Sequence, residues 1–322
     1  MSKQIRQRDA AEDWKKFEPS KIPTKGIKLP PIFNKTLREV IQSRCSDCQP
    51  RDDDVEITIY ILELGCGCGD LSLHLLDTSC NDIQSEDEKD IPKYKIFVLG
   101  LDINSDAIHQ AQQKATLRNQ ETNTNGSCEF LVADVTGNSL VDDISIGVGG
   151  PVTCKMNSDN ETAEAAHQYD FVILQLLLSI VGTQRQRKAS LRNAWTLCRP
   201  GGLVYLSCSG ISGDINPKYA QLYEQDLAAT GERNTYFSRD AAKSNRQPYL
   251  ENDGDRLVDD ILYATHHFDL QELIDLLKET GFEGVDVEQK RETSSRRPDE
   301  SAYFLYAVAR RPFLDPDRAQ DI

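Results

Sequence analysis

The amino-acid sequence predicts an α/β fold, in which helices cover both faces of a seven-stranded, mostly parallel sheet whose last strand is antiparallel. Two observations predict it. Apolar segments of strand length alternate with helical patterns along the chain, which is typical of βαβ units. A glycine-rich loop joins the first of these strands directly to a helix. At 322 residues, the chain is long enough for one such domain with insertions, and we expect no second independent core.

The first strand and the loop after it carry the strongest functional signal. Ile57 to Leu64 is an apolar segment, and Gly65, Gly67 and Gly69 follow it at alternate positions. Glycine permits a positive φ and lets a ligand approach the backbone without meeting a Cβ atom. The pattern therefore predicts a ligand-binding crevice at the carboxyl end of this strand.

The glycine spacing argues against a dinucleotide as the ligand. A G-x-G-x-x-G fingerprint would need its third glycine where the chain has Asp70 or Ser72. Glu63, near the end of the strand, adds negative charge, which suits a cationic ligand without a pyrophosphate group. We therefore do not expect NAD to bind.

The second strand ends in an acidic residue. Tyr94 to Leu101 is almost continuously apolar, as expected of a buried parallel strand, and Asp102 follows it. Asn104 or Ser105 can cap the helix that comes next. An acid in this position is suited to accept hydrogen bonds from both ribose hydroxyls of a nucleoside, although a plain helix-capping role is the alternative.

The remaining strands repeat the same arrangement. Cys128 to Val135 contains Asp134 at the end of a third strand, and Tyr169 to Gln175 is a fourth strand with a polar end. Further along the chain we predict a helix over 183–197, a turn at 199–202, a fifth strand over 203–208, and a final pair of strands over 285–287 and 303–309.

Together these motifs resemble those of the class I S-adenosylmethionine-dependent methyltransferases, over roughly residues 55 to 310. Glu63-x-Gly65-x-Gly67-x-Gly69 resembles the family's first motif, and the passage from Leu197 to Leu203 resembles its L-x-P-G-G-x-L pattern. The resemblance implies a Rossmann-like sheet, S-adenosylmethionine as cofactor and methyltransferase activity. It also implies a set of cofactor-binding residues, namely Glu63, Gly65, Cys66, Gly67, Gly69, Asp102, Ile103, Asp134, Val135 and Gln175.

The predicted domain organisation places one methyltransferase domain between two short end segments. Residues 1–54 form an N-terminal arm and linker, 55–310 the domain, and 311–322 a C-terminal tail. Insertions are expected at 80–93, 136–168 and 209–268. The last is rich in tyrosine and is interpreted as a lid over the substrate, with a decorative surface subdomain as the alternative. Trp14 and Phe17 are interpreted as anchors of the arm or as contacts of the lid.

The acceptor side offers weaker candidates. His266 and His267 are the best candidates for a general base because histidine titrates near neutral pH, but a capping or packing role is common for such residues. Tyr263 is a candidate substrate contact. Arg296 and Arg297 could hold an acidic group of the acceptor, although a solvent-exposed salt bridge explains them equally well.

Composition narrows the classes of partner. The net charge is −15 and no basic stripe is present, which argues against a nucleic acid substrate. We expect no signal peptide and no membrane span. Nine cysteines without a disulfide rhythm favour the reducing cytoplasm. Cys45 and Cys48 supply only two ligands of a zinc site, so no metal is expected.

The sequence thus predicts transfer of a methyl group to a small-molecule acceptor by in-line displacement. The alternatives are a protein or RNA methyltransferase and a non-catalytic cofactor-binding subunit. An intact glycine loop argues against the latter. The acceptor, its attacked atom and the oligomeric state are left open by the sequence.

Overall fold

The computed structural model describes residues 10–18, 29–47, 57–77, 94–121, 126–138, 140–141, 144, 168–239, 261–293 and 300–313. The expected insertion at 80–93 and the greater part of the one at 136–168 lie outside these residues, as does the central part of the 209–268 segment.

A seven-stranded sheet forms the centre of the fold. Its strands are β1 (Ile57–Leu64), β2 (Tyr94–Asp102), β3 (Gly126–Val132), β4 (Tyr169–Gln175), β5 (Cys198–Ser209), β8 (Glu283–Thr293) and β9 (Ser301–Arg310). Their order in the sheet is β3-β2-β1-β4-β5-β9-β8. The pairs from β3 to β5 are parallel, whereas β9 runs antiparallel to both β5 and β8. The predicted fold class is therefore confirmed, including the antiparallel last strand.

Eight helices are named in the described part of the chain. They are α1 (Ala10–Lys15), α2 (Pro31–Asp47), α3 (Asp70–Asp77), α4 (Ser105–Glu121), α5 (Leu177–Ile180), α6 (Gln184–Leu197), α7 (Pro217–Thr230) and α8 (Leu270–Thr280). Helices α2 and α3 pack on one face of the sheet, and α6 and α8 pack on the other. Because alternate residues of a strand point to opposite faces, β1 contributes Ile59 and Ile61 to the first core and Leu62 and Leu64 to the second.

A second, two-stranded antiparallel sheet was not predicted. It consists of β6 (Thr235–Arg239) and β7 (Ile261–His266), both within the segment interpreted as a lid. An isolated bridge between Gly210 and Phe268 joins this segment to the carboxyl end of β5. The small sheet therefore lies beside the edge at which the parallel strands end.

Two local predictions are corrected by the structure. The turn expected at 199–202 lies within β5, because this strand begins at Cys198 and pairs with β4 through an irregular register. Gly201 nevertheless has a φ of +74°, which is the left-handed conformation expected of a turn glycine. The strand expected over 285–287 is the longer strand β8.

No helix of the described residues is both long enough and apolar enough to span a membrane.

Candidate functional site

The glycine loop between β1 and α3 lies at the edge where the parallel strands end. Gly65, Gly67 and Gly69 all have a positive φ, between +53° and +76°. A Cβ atom on Gly65 would lie 2.9 Å from the Leu177 side chain, and one on Gly69 would lie 2.6 Å from the Phe130 ring. A Cβ atom on Gly67 would meet no atom within 4 Å. The outer glycines are therefore required by packing, whereas the middle one faces open space.

Asp102, at the end of β2, is tied to this loop. Its Oδ2 atom accepts the N–H of Gly67 at 2.9 Å, and its Oδ1 atom accepts the N–H of Asn104 at the same distance. Burial raises the pKa of the carboxyl group above its ordinary value, against the effect of the N–H groups of Asn104, Gly67 and Ile103. Each carboxylate oxygen retains a second lone pair, so the group can also accept hydrogen bonds from two hydroxyls.

Glu63 lies beneath the loop and is fully enclosed. Its Oε2 atom accepts the Ser72 hydroxyl at 2.5 Å. Burial raises the pKa of Glu63 to about 8, an effect that the Ser72 hydrogen bond opposes and the nearby charge of Asp102 reinforces. A carboxyl group so placed holds the first turn of α3 against β1. Because burial raises its pKa, Glu63 does not supply the negative charge that was expected of it from the sequence.

The two cysteines of the loop are poor nucleophiles in this environment. Cys66 and Cys68 are both buried. Burial raises the pKa of the Cys66 thiol well above its usual value. It also raises the pKa of Cys68, where the charge of Lys114 opposes the shift. Because the thiolate is the reactive form, these residues shape the loop rather than react.

The end of β3 contributes a further acidic side chain to the same edge. Asp134 Oδ1 accepts both the N–H and the hydroxyl of Thr136, at 2.9 and 2.7 Å. The carbonyl groups of Val135 and Gly137 accept the two amide hydrogens of Asn193 on α6, each at 2.9 Å. The loop after β3 is therefore held by hydrogen bonds from both sides.

The end of β4 contains a strained residue. Gln175 is half-buried, and Leu176 after it has a φ of +55°. This conformation is unfavourable for a leucine, and residues strained in this way cluster at functional sites. The Leu176 N–H donates to the backbone carbonyl and to the hydroxyl of Ser207, both at 3.0 Å. The turn brings Leu177, the first residue of α5, against Gly65.

The N-terminal arm crosses this edge of the sheet. The amide group of Asn104, which follows Asp102, donates to the carbonyls of Trp14 and Phe17 at 2.9 and 2.7 Å. The Trp14 indole N–H donates to the carbonyl of Ile180 on α5 at 3.2 Å. Its ring packs on Tyr263 of β7, with 4.5 Å between the ring centroids. We refer to Trp14, Phe17 and Tyr263 as the aromatic roof.

His266 has a structural environment. Its Nδ1 atom is 2.7 Å from the Thr235 hydroxyl, and its Nε2 atom is 2.9 Å from Glu272 Oε1. The hydrogen bond from His266 and its charge lower the pKa of Glu272, although burial acts in the opposite direction. Glu272 also completes the capping box of α8 with Asp269. Both ring nitrogens of His266 are therefore engaged in joining β7 to β6 and α8.

His267 lies in a different cluster, surrounded by three tyrosines. Its Nδ1 atom is 2.6 Å from the Tyr223 hydroxyl, and the Tyr219 ring centroid is 4.8 Å from its own. Tyr236 packs edge-on against the same ring. Burial raises the pKa of the Tyr223 phenol, which keeps it protonated at neutral pH. The cluster joins α7 to the small sheet.

The structure does not describe the two arginines that were predicted as acceptor-side candidates. Arg296 and Arg297 lie outside the described residues. Within the described ranges, no group of three or more histidine, cysteine, aspartate or glutamate side chains is arranged to hold a metal ion.

Comparison with known proteins supports the fold at the level of structure. No protein-family model and no curated protein matches the sequence. The chain is similar in structure to a SAM-dependent methyltransferase from Methanosarcina mazei, with a TM-score of 0.58 and 21% identity, covering 89% of this chain and 100% of the other. This similarity shows that the chain has the class I methyltransferase fold.

More distant similarities were also found. A magnesium protoporphyrin IX methyltransferase from Synechocystis, solved with bound SAH, gives a TM-score of 0.45 at 15% identity over 94% of this chain and 99% of the other. A [4+2]-cyclase gives a TM-score of 0.42 at 12% identity over 87% and 82%. At these TM-scores the two add nothing to the fold assignment.

The structure thus brings most of the predicted cofactor residues to one edge of the sheet. Asp102 is hydrogen-bonded to Gly67, Glu63 and Gly65 belong to the end of β1 and the loop after it, and Asp134 and Gln175 lie at the ends of β3 and β4. Sequence reasoning missed the link from Asn104 to the arm. Asn104 was considered only as a helix cap, a role that it also fills, because its Oδ1 atom accepts the N–H of Ala107 at 2.9 Å.

Proposed function

We propose that this protein is an S-adenosylmethionine-dependent methyltransferase that acts on a small-molecule acceptor. The observation that carries the proposal is the open space at Gly67, where a Cβ atom would meet no atom within 4 Å, next to the half-buried carboxylate of Asp102 at the end of the adjacent strand. The similarity of the fold to a SAM-dependent methyltransferase supports it.

The residues of the crevice fit the cofactor. We assign the two ribose hydroxyls of S-adenosylmethionine to the remaining lone pairs of Asp102. The backbone of Gly67 gives the cofactor its closest approach, since no side chain intervenes. We assign the adenine amino group to Asp134, which follows β3 on the far side of β2. When bound, the cofactor supplies an electrophilic methyl group and leaves as a neutral thioether.

The protein's own contribution to transfer is alignment and exclusion of water. Methyl transfer needs the acceptor atom, the methyl carbon and the sulfur in line, so a rigid, enclosed site provides much of the rate enhancement. For an acceptor that must lose a proton, we propose His267 rather than His266 as the base. Both histidines have protein partners on both ring nitrogens: Thr235 and Glu272 at 2.7 and 2.9 Å for His266, and the hydroxyls of Tyr223 and Tyr236 at 2.6 and 3.5 Å for His267. We choose His267 because its 3.5 Å contact is the weakest of the four.

Two features favour a small acceptor over a macromolecule. The aromatic roof lies at the edge where the cofactor residues end, with Trp14 packed on Tyr263 and hydrogen-bonded to the carbonyl of Ile180, and this partial cover suits a small acceptor. The net charge of −15 opposes the approach of a polyphosphate backbone. We also propose a cytoplasmic location, which nine cysteines without a disulfide rhythm favour.

Ligand titration and a pooled transfer assay test the proposal. We expect S-adenosylmethionine and S-adenosylhomocysteine to raise the melting temperature of the protein, and NAD to have no effect. Labelled methyl groups should then pass to a metabolite pool but not to protein or RNA pools. Stabilisation by NAD with no response to S-adenosylhomocysteine would overturn the cofactor assignment. Labelling of RNA or protein alone would select the macromolecular alternative.

A further inference from the structure

We infer that the N-terminal arm, residues 10–18, is part of the cofactor site, and that Asn104 couples docking of the arm to occupancy of the crevice. The inference rests on the proposed function and extends it from the sheet edge to a segment that the cofactor motifs do not include.

The arm is attached to residues that follow the two strands beside β1. In the sheet, β2 and β4 flank β1, whose carboxyl end carries the glycine loop. Asn104 follows β2 and holds the arm through two backbone carbonyls. Ile180 follows β4 and holds it through the Trp14 indole. The arm is therefore attached on both sides of the glycine loop, after β2 and after β4.

The attachment of the arm at Asn104 is buried and fully hydrogen-bonded. Asn104 is 4% exposed, and its amide group is fully used, with two donors on the arm and its oxygen on the first turn of α4. Phe17 is also buried and packs edge-on against Tyr263 at 5.8 Å. A buried polar group of this kind fixes one geometry, because any other position of the arm would leave two carbonyls and two N–H groups without partners.

Asn104 also contacts the carboxylate that we assign to the ribose of the cofactor. The Asn104 N–H donates to Asp102 Oδ1, the same carboxylate to which we assign the ribose hydroxyls. A cofactor that orients Asp102 therefore orients Asn104 and, through it, the arm. By linkage, an arm that docks only when Asn104 is in place must in turn strengthen cofactor binding.

The test uses Asn104→Asp in the full-length protein. Aspartate keeps the helix-capping oxygen but places a carboxylate oxygen against the two arm carbonyls. The matched control is Asn216→Asp, because Asn216 also caps a helix, α7, and donates its amide hydrogen to Glu300 away from the crevice. Phe17→Ala is a second variant that weakens the arm without altering α4.

Two readouts are measured for each variant. The first is the dissociation constant of S-adenosylhomocysteine by calorimetry. The second is tryptic cleavage after Lys15 and Lys16, which are exposed residues of the arm, with and without S-adenosylhomocysteine. We expect wild type and Asn216→Asp to be protected from cleavage by the ligand. Asn104→Asp and Phe17→Ala should bind it about 5- to 50-fold more weakly and lose the protection.

The outcomes separate the inference from the proposed function. If wild type binds S-adenosylhomocysteine but both arm variants bind it as tightly and are cleaved as in wild type, the arm is not part of the site and the inference is wrong. If wild type does not bind S-adenosylhomocysteine at all, the proposed function fails. Faster cleavage of Asn104→Asp than of wild type without ligand would still show that Asn104 holds the arm.

Discussion

Replacing Gly67 by alanine separates binding from stability, because the three loop glycines have different surroundings. Gly67 has a φ of +53° and open space where a Cβ atom would be. The left-handed conformation costs an alanine about 1–2 kcal/mol, and the lower entropy of the unfolded chain returns about 0.4–1 kcal/mol. We therefore expect a net loss of about 1 kcal/mol, or about 2–4 °C in melting temperature.

Gly69→Ala provides the contrast. Its φ is +74°, and the new Cβ atom would lie 2.6 Å from the Phe130 ring and 2.9 Å from the Cβ atom of Ala111. Overpacking of this kind adds about 1–3 kcal/mol to the backbone strain. We expect a total loss of about 2–4 kcal/mol, which corresponds to about 4–16 °C.

The affinity for S-adenosylhomocysteine should fall more in Gly67→Ala than in Gly69→Ala, the reverse of the order expected for stability. The methyl group of Gly67→Ala enters the space assigned to the cofactor, so we expect at least a roughly tenfold loss of affinity, or about 1.4 kcal/mol. Gly231→Ala is the matched control, since Gly231 has a φ of +69° and equally open surroundings at the end of α7. It should lose the same stability as Gly67→Ala and no affinity.

Differential scanning fluorimetry measures the melting temperatures of the three variants, and calorimetric titration measures their affinity for S-adenosylhomocysteine. Cofactor affinity in Gly67→Ala within threefold of wild type would refute the placement of the cofactor against the loop. Equal melting temperatures for Gly67→Ala and Gly69→Ala would refute the packing argument.

Three further predictions concern single side chains. Asp102→Ala should weaken S-adenosylhomocysteine binding about 10- to 150-fold in titrations, because two hydroxyls lose a charged acceptor; a change below threefold would contradict the ribose assignment. Glu63 has a folded-state pKa of about 8, above its unfolded value, so its contribution to stability is complete below about pH 4.5 and is lost as the pH rises to 8. In pH-dependent melts, Glu63→Gln should therefore gain stability over wild type between pH 5 and 8, and a constant offset would count against this pKa. His266→Gln should lower the melting temperature more than it lowers turnover, whereas His267→Gln should do the reverse; equal effects on both would remove the reason to prefer His267.

Local signals explain why the sheet edge was predictable from the sequence. The glycine loop follows β1 directly, and Asp102 is the last residue of β2, so each signal lies within or beside the element that positions it. Parallel strands end at one edge, and this rule brings Glu63, Asp102 and Asp134 together without further information.

The roof and the histidine environments were not predictable, because they depend on contacts between distant parts of the chain. Trp14 and Ile180 are 166 residues apart, and Asn104 is 90 residues from Trp14. The adjacent histidines appeared equivalent as candidate bases in the sequence. Only the folded chain distinguishes them, since Glu272 binds His266 and Tyr223 binds His267.

The position of β9 has a consequence for the synthesis of the protein. This strand lies between β5 and β8, so β8 has no other neighbour in the sheet, and β5 has an unpaired edge until β9 arrives. Roughly 90 residues separate the end of β5 from the start of β9, which at about 5–20 residues per second is about 5–20 s of translation. During that interval the nascent chain presents the bare edge of β5, an apolar strand, to its surroundings. We expect the growing polypeptide to need chaperone protection in this window, and a chain interrupted before Ser301 to aggregate rather than to accumulate as a smaller folded protein.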